Sequence, residues 1–257
     1  MDIRPWGAKM QRRLYPRPPI VEAIIQFQFA QPIGRRQLDK TLRHALRAAY
    51  PGLHRTQAEV QVTAQVGPDS VSASAARRVK VVFLQATNGL RLVGLADGVL
   101  SIHALAPYPG WENFMANTEE VVVAASSEFG RQPLAGITVR YIDRIVFPER
   151  AADLSRYLTL QLGSKTTDDG VITAFSMLFQ RVVGIARDVT TLAIAAAPGE
   201  PDGRPAIVLD VVAATSSLPV CSLADVSSWR SVVQRLHQLQ RDAFEAAITD
   251  ATRELFQ

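Results

Sequence analysis

Residues 79–105 contain three apolar, β-branched runs separated by two tight-turn signals, and they read VKVVFLQATNGLRLVGLADGVLSIHAL. Asn88-Gly89 and Asp97-Gly98 are strong hairpin signals, because Asn, Asp and Gly are the residues that tight turns favour. The flanking runs are rich in Val, Leu and Ile, as strands are. This pattern predicts three consecutive antiparallel strands, and antiparallel pairing excludes a parallel Rossmann-type or TIM-barrel sheet.

Strands and helices are predicted on both sides of these hairpins. Residues 20–29, IVEAIIQFQF, alternate apolar and polar side chains as a half-buried strand does. Residues 35–50 switch to a helical period, with Leu38, Leu42 and Leu46 on one stripe. The other predicted elements are helices at 111–129, 148–160 and 225–257, and strands at 60–66, 137–147, 171–184, 189–197 and 206–214.

The element order repeats along the chain. Each half contains a strand, a helix, three or four antiparallel strands and a long helix. The sequence therefore predicts an α+β fold of two similar β-α-β(3-4)-α halves, with antiparallel sheet or sheets and a long helix packed on each. This order resembles the TATA-box-binding-protein-like and helix-grip folds. The predicted parts are a basic extended arm at 1–19, a first α+β half at 20–130 and a second half with the long C-terminal helix at 131–257.

The composition excludes several classes of protein. The chain has 257 residues, of which 47% are hydrophobic and 20% charged, enough apolar surface for a large core. It contains no apolar run long enough to span a membrane, and its start lacks the apolar core of a signal peptide, so we expect a cytoplasmic protein without a membrane partner. The lone Cys221 excludes an intramolecular disulfide framework and a cysteine-based zinc cluster.

Basic residues concentrate in the N-terminal arm and on one predicted helix. The net charge of +4 equals that of the first seventeen residues, so the remainder of the chain is balanced. The helix stripe and the arm could follow a nucleic-acid backbone, but a solvated helix face is the favoured interpretation. The candidate nucleic-acid-binding residues are Arg12, Arg13, Arg17, Arg36, Lys40, Arg43 and Arg47.

Motifs for common chemistries are missing. The sequence has no GxxxxGK[ST], GxGxxG, GxSxG or HExxH motif, so we predict no catalytic residue, no metal site and no cofactor. His237, on the last helix, is interpreted as a hydrogen-bonding residue at the edge of the core rather than a general base. Cys221 is interpreted as a small buried residue rather than a nucleophile.

Charged residues interrupt two apolar strands. Glu22 lies on the face opposite Ala23, and Asp143 lies on the face opposite Arg140 and Arg144. Charges inside a strand are either solvated or paired. The favoured hypothesis is an ion pair of Glu22 with Arg140 or Arg144 that holds the halves together. The alternative is a catalytic or ligand-binding carboxylate.

Four segments together resemble a family of sporadically distributed, uncharacterised bacterial proteins of about this length. They are PPIVEA at 18–23, Trp111 with Phe114, RYIDRI at 140–145, and a C-terminal pattern of LH at 236–237, FEAAIT at 244–249 and RELF at 253–256. The family usually has Asn at the position of Asp143. The resemblance implies no reaction or cofactor, and its motif residues are Glu22, Trp111, Arg140, Tyr141, Asp143, Arg144, His237, Phe244 and Thr249.

The scattered occurrence of that family implies an accessory gene of the mobile-element or defence type. Together with the missing catalytic motifs, this favours a non-catalytic binding or scaffold component that recognises another protein of the same locus or a nucleic acid. A homo-oligomer stays open. The alternative is an enzyme or small-molecule sensor with a ligand pocket between the sheet and a long helix.

Overall fold

Nine antiparallel strands form one sheet that runs through the whole molecule. The structure is a computed structural model, which describes residues 13–58, 64–67, 70–73, 79–150, 153–160, 175–215 and 221–257. From one edge to the other the strands are β2 (Gly52–Ala58), β5 (Val79–Gln85), β6 (Arg91–Ala96), β7 (Val99–Leu105), β1 (Ile20–Phe29), β8 (Leu134–Val146), β11 (Ala206–Ala214), β10 (Asp188–Ala197) and β9 (Ser176–Val183).

A separate two-stranded hairpin and five helices complete the described fold. The hairpin consists of β3 (Ala64–Gly67) and β4 (Ser70–Ala73). The helices are α1 (Arg35–Ala45), α2 (Trp111–Phe129), α3 (Leu154–Tyr157), α4 (Val226–Ala247) and α5 (Asp250–Glu254). The predicted α+β class with an antiparallel sheet is therefore confirmed. Within the described ranges, no helix is both long and apolar enough to cross a membrane.

The predicted hairpins are where the turn residues indicate. Gly89 and Gly98 adopt φ values of 72° and 69°, which a side chain would strain, and they join β5 to β6 and β6 to β7. The two halves of the chain meet at the centre of the sheet, where β1 pairs with β8 and Ile24 lies opposite Arg140. The halves therefore share one sheet rather than forming two.

One face of the sheet carries the core. Alternate residues of β1, including Ile25 and Phe27, are fully buried, and Phe27 meets the ring of Trp229 from α4 edge-to-face at 5.5 Å. Phe114 of α2 belongs to the same buried cluster. Burial of each such side chain stabilises the fold by about 1.5–3 kcal/mol. The helices thus hold the face to which Asp143, which is also buried, belongs.

Several predicted boundaries are corrected. The first helix ends at Ala45 rather than residue 50, and the short helix before residue 160 is confined to Leu154–Tyr157. The last helix is interrupted at Ile248, whose backbone is extended (φ −111°, ψ 153°) and forms a bridge with Leu158. The following hydroxyl of Thr249 accepts a bond from the Thr252 N–H and starts α5. Predictions for residues 1–12, 60–63 and 171–174, including Arg12, lie outside the described residues.

Candidate functional site

A cleft of about 530 Å³ lies between the helical face of the sheet, α4, the start of α2 and the N-terminal arm. Tyr141 and Asp143 of β8 form its floor, and Gln240 and Phe244 of α4 line one side. Arm residues from Arg13 to Ile20 line another side. The cleft exists because the buried face of β8 reaches the point where the arm, rather than a helix, covers the sheet.

Five of the motif residues singled out in the sequence meet in this cleft although they are far apart in the chain. They are Trp111, Tyr141, Asp143, His237 and Phe244. The other motif residues are placed elsewhere: Glu22, Arg140 and Arg144 lie on the opposite face of the sheet, and Thr249 caps α5. The five motif residues of the cleft therefore share a cavity, whereas the other four make contacts within the chain elsewhere.

Asp143 is the most unusual residue of the cleft. Its relative exposure is 2%, and its Oδ2 atom has no hydrogen-bond partner among the described residues. Burial, with a smaller contribution from the negative charge of Asp210 on the neighbouring strand β11, raises its pKa to about 8. The side chain is therefore mostly protonated at neutral pH. A buried polar atom without a partner costs stability, so its presence at a cavity wall marks a candidate ligand contact.

Aromatic rings line the same cleft as Asp143. The imidazole of His237 stacks on the indole of Trp111, with centroids 3.6 Å apart and planes at 6°. The hydroxyl groups of Tyr108 and Tyr141 share a hydrogen bond of 2.7 Å. Burial raises the pKa of both tyrosines, so both hydroxyls stay protonated. His237 therefore packs in this aromatic cluster and also lines the cleft, and its role as a hydrogen-bonding residue stays a prediction.

The N-terminal arm is fixed against the C-terminal elements. The hydroxyl of Tyr15 donates to Glu245 Oε1 at 2.7 Å, and Arg253 Nε donates to the other carboxylate oxygen at 2.9 Å. Burial, together with the hydrogen bond and charge of Glu245, raises the pKa of Tyr15 to about 12. The Arg17 N–H also donates to the Phe256 carbonyl at 3.1 Å. These contacts make the arm a wall of the cleft.

The candidate nucleic-acid-binding residues divide into two groups. Arg13 contacts Asp250 at 3.3 Å, and Arg17 Nε donates to the main-chain oxygen of Gln257 at 2.6 Å, so both have partners within the chain. The α1 stripe is exposed to solvent, and one member, Arg43, is bonded to Asp39 at 2.6 Å. The exposed residues are Arg36, Lys40 and Arg43 of α1 and Arg47 in the turn that follows the helix. That these residues bind nucleic acid therefore stays a prediction.

The predicted partner of Glu22 is wrong. Glu22 Oε1 lies 2.7 Å from Nδ1 of His103, which sequence reasoning missed, whereas Arg140 and Arg144 bind other carboxylates. Burial opposes ionisation of Glu22, but the hydrogen bond and charge of His103 and the charge of Arg140 together lower its pKa. The carboxylate partners of these arginines are Asp210, bound by two hydrogen bonds of 2.8 and 2.5 Å, and Glu200, bound at 2.6 Å.

His103 also connects Glu22 to a serine. His103 Nε2 lies 2.8 Å from Ser101 Oγ, so the three side chains form a chain in the order of a Ser-His-carboxylate triad. Ser101, however, lies within β7, which is paired on both sides, and is only 8% exposed. Acyl transfer needs N–H groups free to stabilise an oxyanion, and interior strands use theirs for pairing. The chain of bonds therefore reads as a structural network.

Comparison with known proteins adds no constraint to this geometry. Among the residues described, no group of three or more His, Cys, Asp or Glu side chains is arranged to hold a metal ion. No protein-family model matches the chain, and comparison with curated proteins and with solved structures finds no similar protein.

Proposed function

We propose that the protein binds a small organic molecule in the cleft between β8 and α4, as a binding or sensor protein rather than an enzyme. The observation that carries this proposal is Asp143, a buried carboxyl group on a cavity wall with an oxygen that lacks a hydrogen-bond partner among the described residues. A ligand that bonds to this oxygen would remove the cost of leaving it unpaired. The cleft volume falls within the range of typical ligand sites.

The contacts within the cleft favour binding over catalysis. Nucleophilic catalysis needs a general base within hydrogen-bond reach of the nucleophile. Asp143 Oδ2 has no such partner in the described part of the chain, and the carboxylate of Glu245 is committed to Tyr15 and Arg253. The amide of Gln240, which is 3% exposed, offers a further polar contact at the cleft wall. These groups can orient a ligand without reacting with it.

A thermal-shift screen tests this proposal with a library of small organic fragments that contains cations, anions and neutral molecules in similar numbers. Ligands of the cleft should raise the melting temperature of the parent and lose their effect in Asp143→Leu, which fills the carboxyl position with an apolar group. Glu120→Gln is the matched control, because Glu120 lines a different cavity and lies 3.6 Å from Arg91. Fragments that protect all three proteins equally would contradict binding in the cleft.

A protein partner is the second candidate function, and the edge strand β9 favours it. Leu178 and Val182 are each 57% exposed, and they point to the same side of β9, the last strand of the sheet. Exposed apolar edge strands pair readily with another strand. A second copy of the chain, paired edge to edge, would cover these side chains. Light scattering should then show a dimer in the parent and a monomer in Leu178→Lys/Val182→Lys; a parent that stays monomeric at all concentrations would contradict it.

We also propose that the halves at 20–130 and 131–257 are two copies of one topology, as in TATA-box-binding-protein-like and helix-grip folds. The strand order supports this proposal, because the first strand of each half pairs with the last strand of the same half. In the first half β1 pairs with β7, and in the second half β8 pairs with β11. A crystal structure in which the two halves fail to superpose would contradict it.

A further inference from the structure

We propose that the ligand of the cleft is an organic cation whose protonated amine donates a hydrogen bond to the carboxyl group of Asp143 while an aromatic or aliphatic body lies against the aromatic rings of the cleft. This inference rests on the proposed function of the cleft and adds the chemical class of its ligand. Three independent features of the site support it: the missing partner of Asp143, the sign of the charge nearby, and the composition of the walls.

Asp143 lacks both a hydrogen-bond donor and a countercharge. Its Oδ2 atom has no partner in the described structure, and it forms no ion pair there. An ionised carboxylate is stable in such a position only when it is paired and hydrogen-bonded. A protonated amine supplies the charge and the donor in one group. A neutral ligand would supply only the donor, and an anion would supply neither.

No cation of the described residues contributes to the electrostatic environment of Asp143. The charge that acts on Asp143 comes from a second carboxylate, Asp210. Asp210 is bonded to Arg140, but both side chains lie on the opposite face of the sheet. Within the cleft the charge of Arg241 acts on the hydroxyls of Tyr108 and Tyr141. The Asp143 end of the cleft therefore suits a cation.

The walls of the cleft suit the rest of such a molecule. Rings of Tyr108, Tyr141, Trp111 and Phe244 line it, and the faces of aromatic rings attract cations within about 6 Å of their centroids. Prolines of the arm extend the apolar surface. A volume of about 530 Å³ is enough for one ring carrying a short aminoalkyl chain.

The pH dependence of binding follows from the protonation of Asp143. Its pKa of about 8 means that an amine must first displace a proton at neutral pH. Affinity should therefore rise about tenfold per pH unit up to about pH 8 and then level off. Other titratable or charged groups face the cleft from the arm, α2, β8 and α4, namely Arg13, Tyr15, Tyr108, Glu112, Tyr141, His237, Arg241 and Glu245. Asp143→Asn separates their contribution, because it leaves all of them in place.

Calorimetric titration of the full chain with three probes of one shape and different charge tests the inference. The probes are 2-phenylethylamine, 2-phenylethanol and phenylacetate. The amine should bind most tightly, about 50-fold more tightly at pH 8 than at pH 6. Asp143→Asn should lose this pH dependence and most of the affinity, and Glu120→Gln should keep both.

Each other outcome overturns the inference in a distinguishable way. If the alcohol or phenylacetate binds as tightly as the amine, the cleft binds ligands but does not select cations. If amine binding is independent of pH in the parent, the amine does not bind to the Asp143 carboxylate. This measurement uses only the parent protein, so it does not depend on whether a variant folds. If none of the three probes binds, the cation inference fails, and the fragment screen with Asp143→Leu decides separately whether the cleft binds any ligand.

Discussion

Replacement of Asp143 by Asn should stabilise the protein, and the gain should grow with pH. An acid whose pKa is raised on folding binds its proton more tightly in the folded state, so the parent loses stability as pH rises from the unfolded to the folded pKa. For Asp143 this window runs from the ordinary value of 3.8 to about 8. Asn has nearly the same shape as Asp and does not ionise, so the stability of the variant should not fall with pH for this reason.

The size of the effect follows from the width of that window. Each pH unit inside it costs the parent at most about 1.4 kcal/mol. Between pH 5 and pH 8 the variant should therefore gain about 3–4 kcal/mol relative to the parent, in addition to about 1.5 kcal/mol gained between pH 3.8 and pH 5. For a chain of this size each kcal/mol corresponds to about 2–4 °C in melting temperature.

Urea unfolding at pH 5, 6, 7 and 8 measures this difference directly. Glu120→Gln is the control for loss of a carboxylate elsewhere, and its stability should follow the parent at every pH. A stability difference between Asp143→Asn and the parent that is the same at pH 5 and pH 8 would refute the reasoning, because it would mean that Asp143 titrates alike in the folded and unfolded chain.

Three further predictions concern the other contacts. Glu22→Ala should lower the free energy of unfolding by about 1–3 kcal/mol, because it leaves His103 without its acceptor. The stability contributed by Glu22 should be present above pH 4.5 and be lost as pH falls through its lowered pKa. Equal acid denaturation of the parent and Glu22→Gln would argue against this. Tyr15→Phe should cost about 1 kcal/mol in thermal unfolding through loss of the bond to Glu245, and an unchanged melting temperature would mean that the arm is not held there. If the basic stripe binds nucleic acid, a mobility-shift assay at low salt should detect a complex, and the slope of log affinity against log salt concentration should fall by about 0.9 for each contact removed by Arg36→Ala, Arg43→Ala and Arg47→Ala. Binding that is unchanged in the triple variant would mean that the stripe is a solvated helix face.

Local signals in the sequence were sufficient to predict antiparallel strands, but not the edge strand β2 or the single sheet that joins both halves. The turn dipeptides at Gly89 and Gly98 and the alternation of β1 predict antiparallel strands, because both depend on residues adjacent in the chain. The break at Ile248 could not be predicted from periodicity, because the residues on both sides continue an apolar stripe. The bridge from Leu158 that holds the break comes from a distant part of the chain.

The contacts of the charged residues depend on the register in which the strands pair, and sequence patterns alone do not predict that register. Alternation correctly placed Asp143 on the face opposite Arg140 and Arg144. The partner of Glu22 was missed because His103 reaches it only when β7 pairs with β1 in the observed register. The cleft itself needs the arm to lie against α4, and no local pattern predicts that contact. Sequence alone therefore identified residues of the cleft without showing that they meet.

The pKa of the Asp143 carboxyl group, measured by ¹³C NMR with and without 2-phenylethylamine, tests the central claim most directly. We predict a value of about 8 in the free protein, because the group is buried without a partner, and a clear decrease when the amine binds. A value near that of an exposed aspartate in the free protein, or a raised value that saturating amine leaves unchanged, would contradict the claim that Asp143 is the anchor of a ligand site.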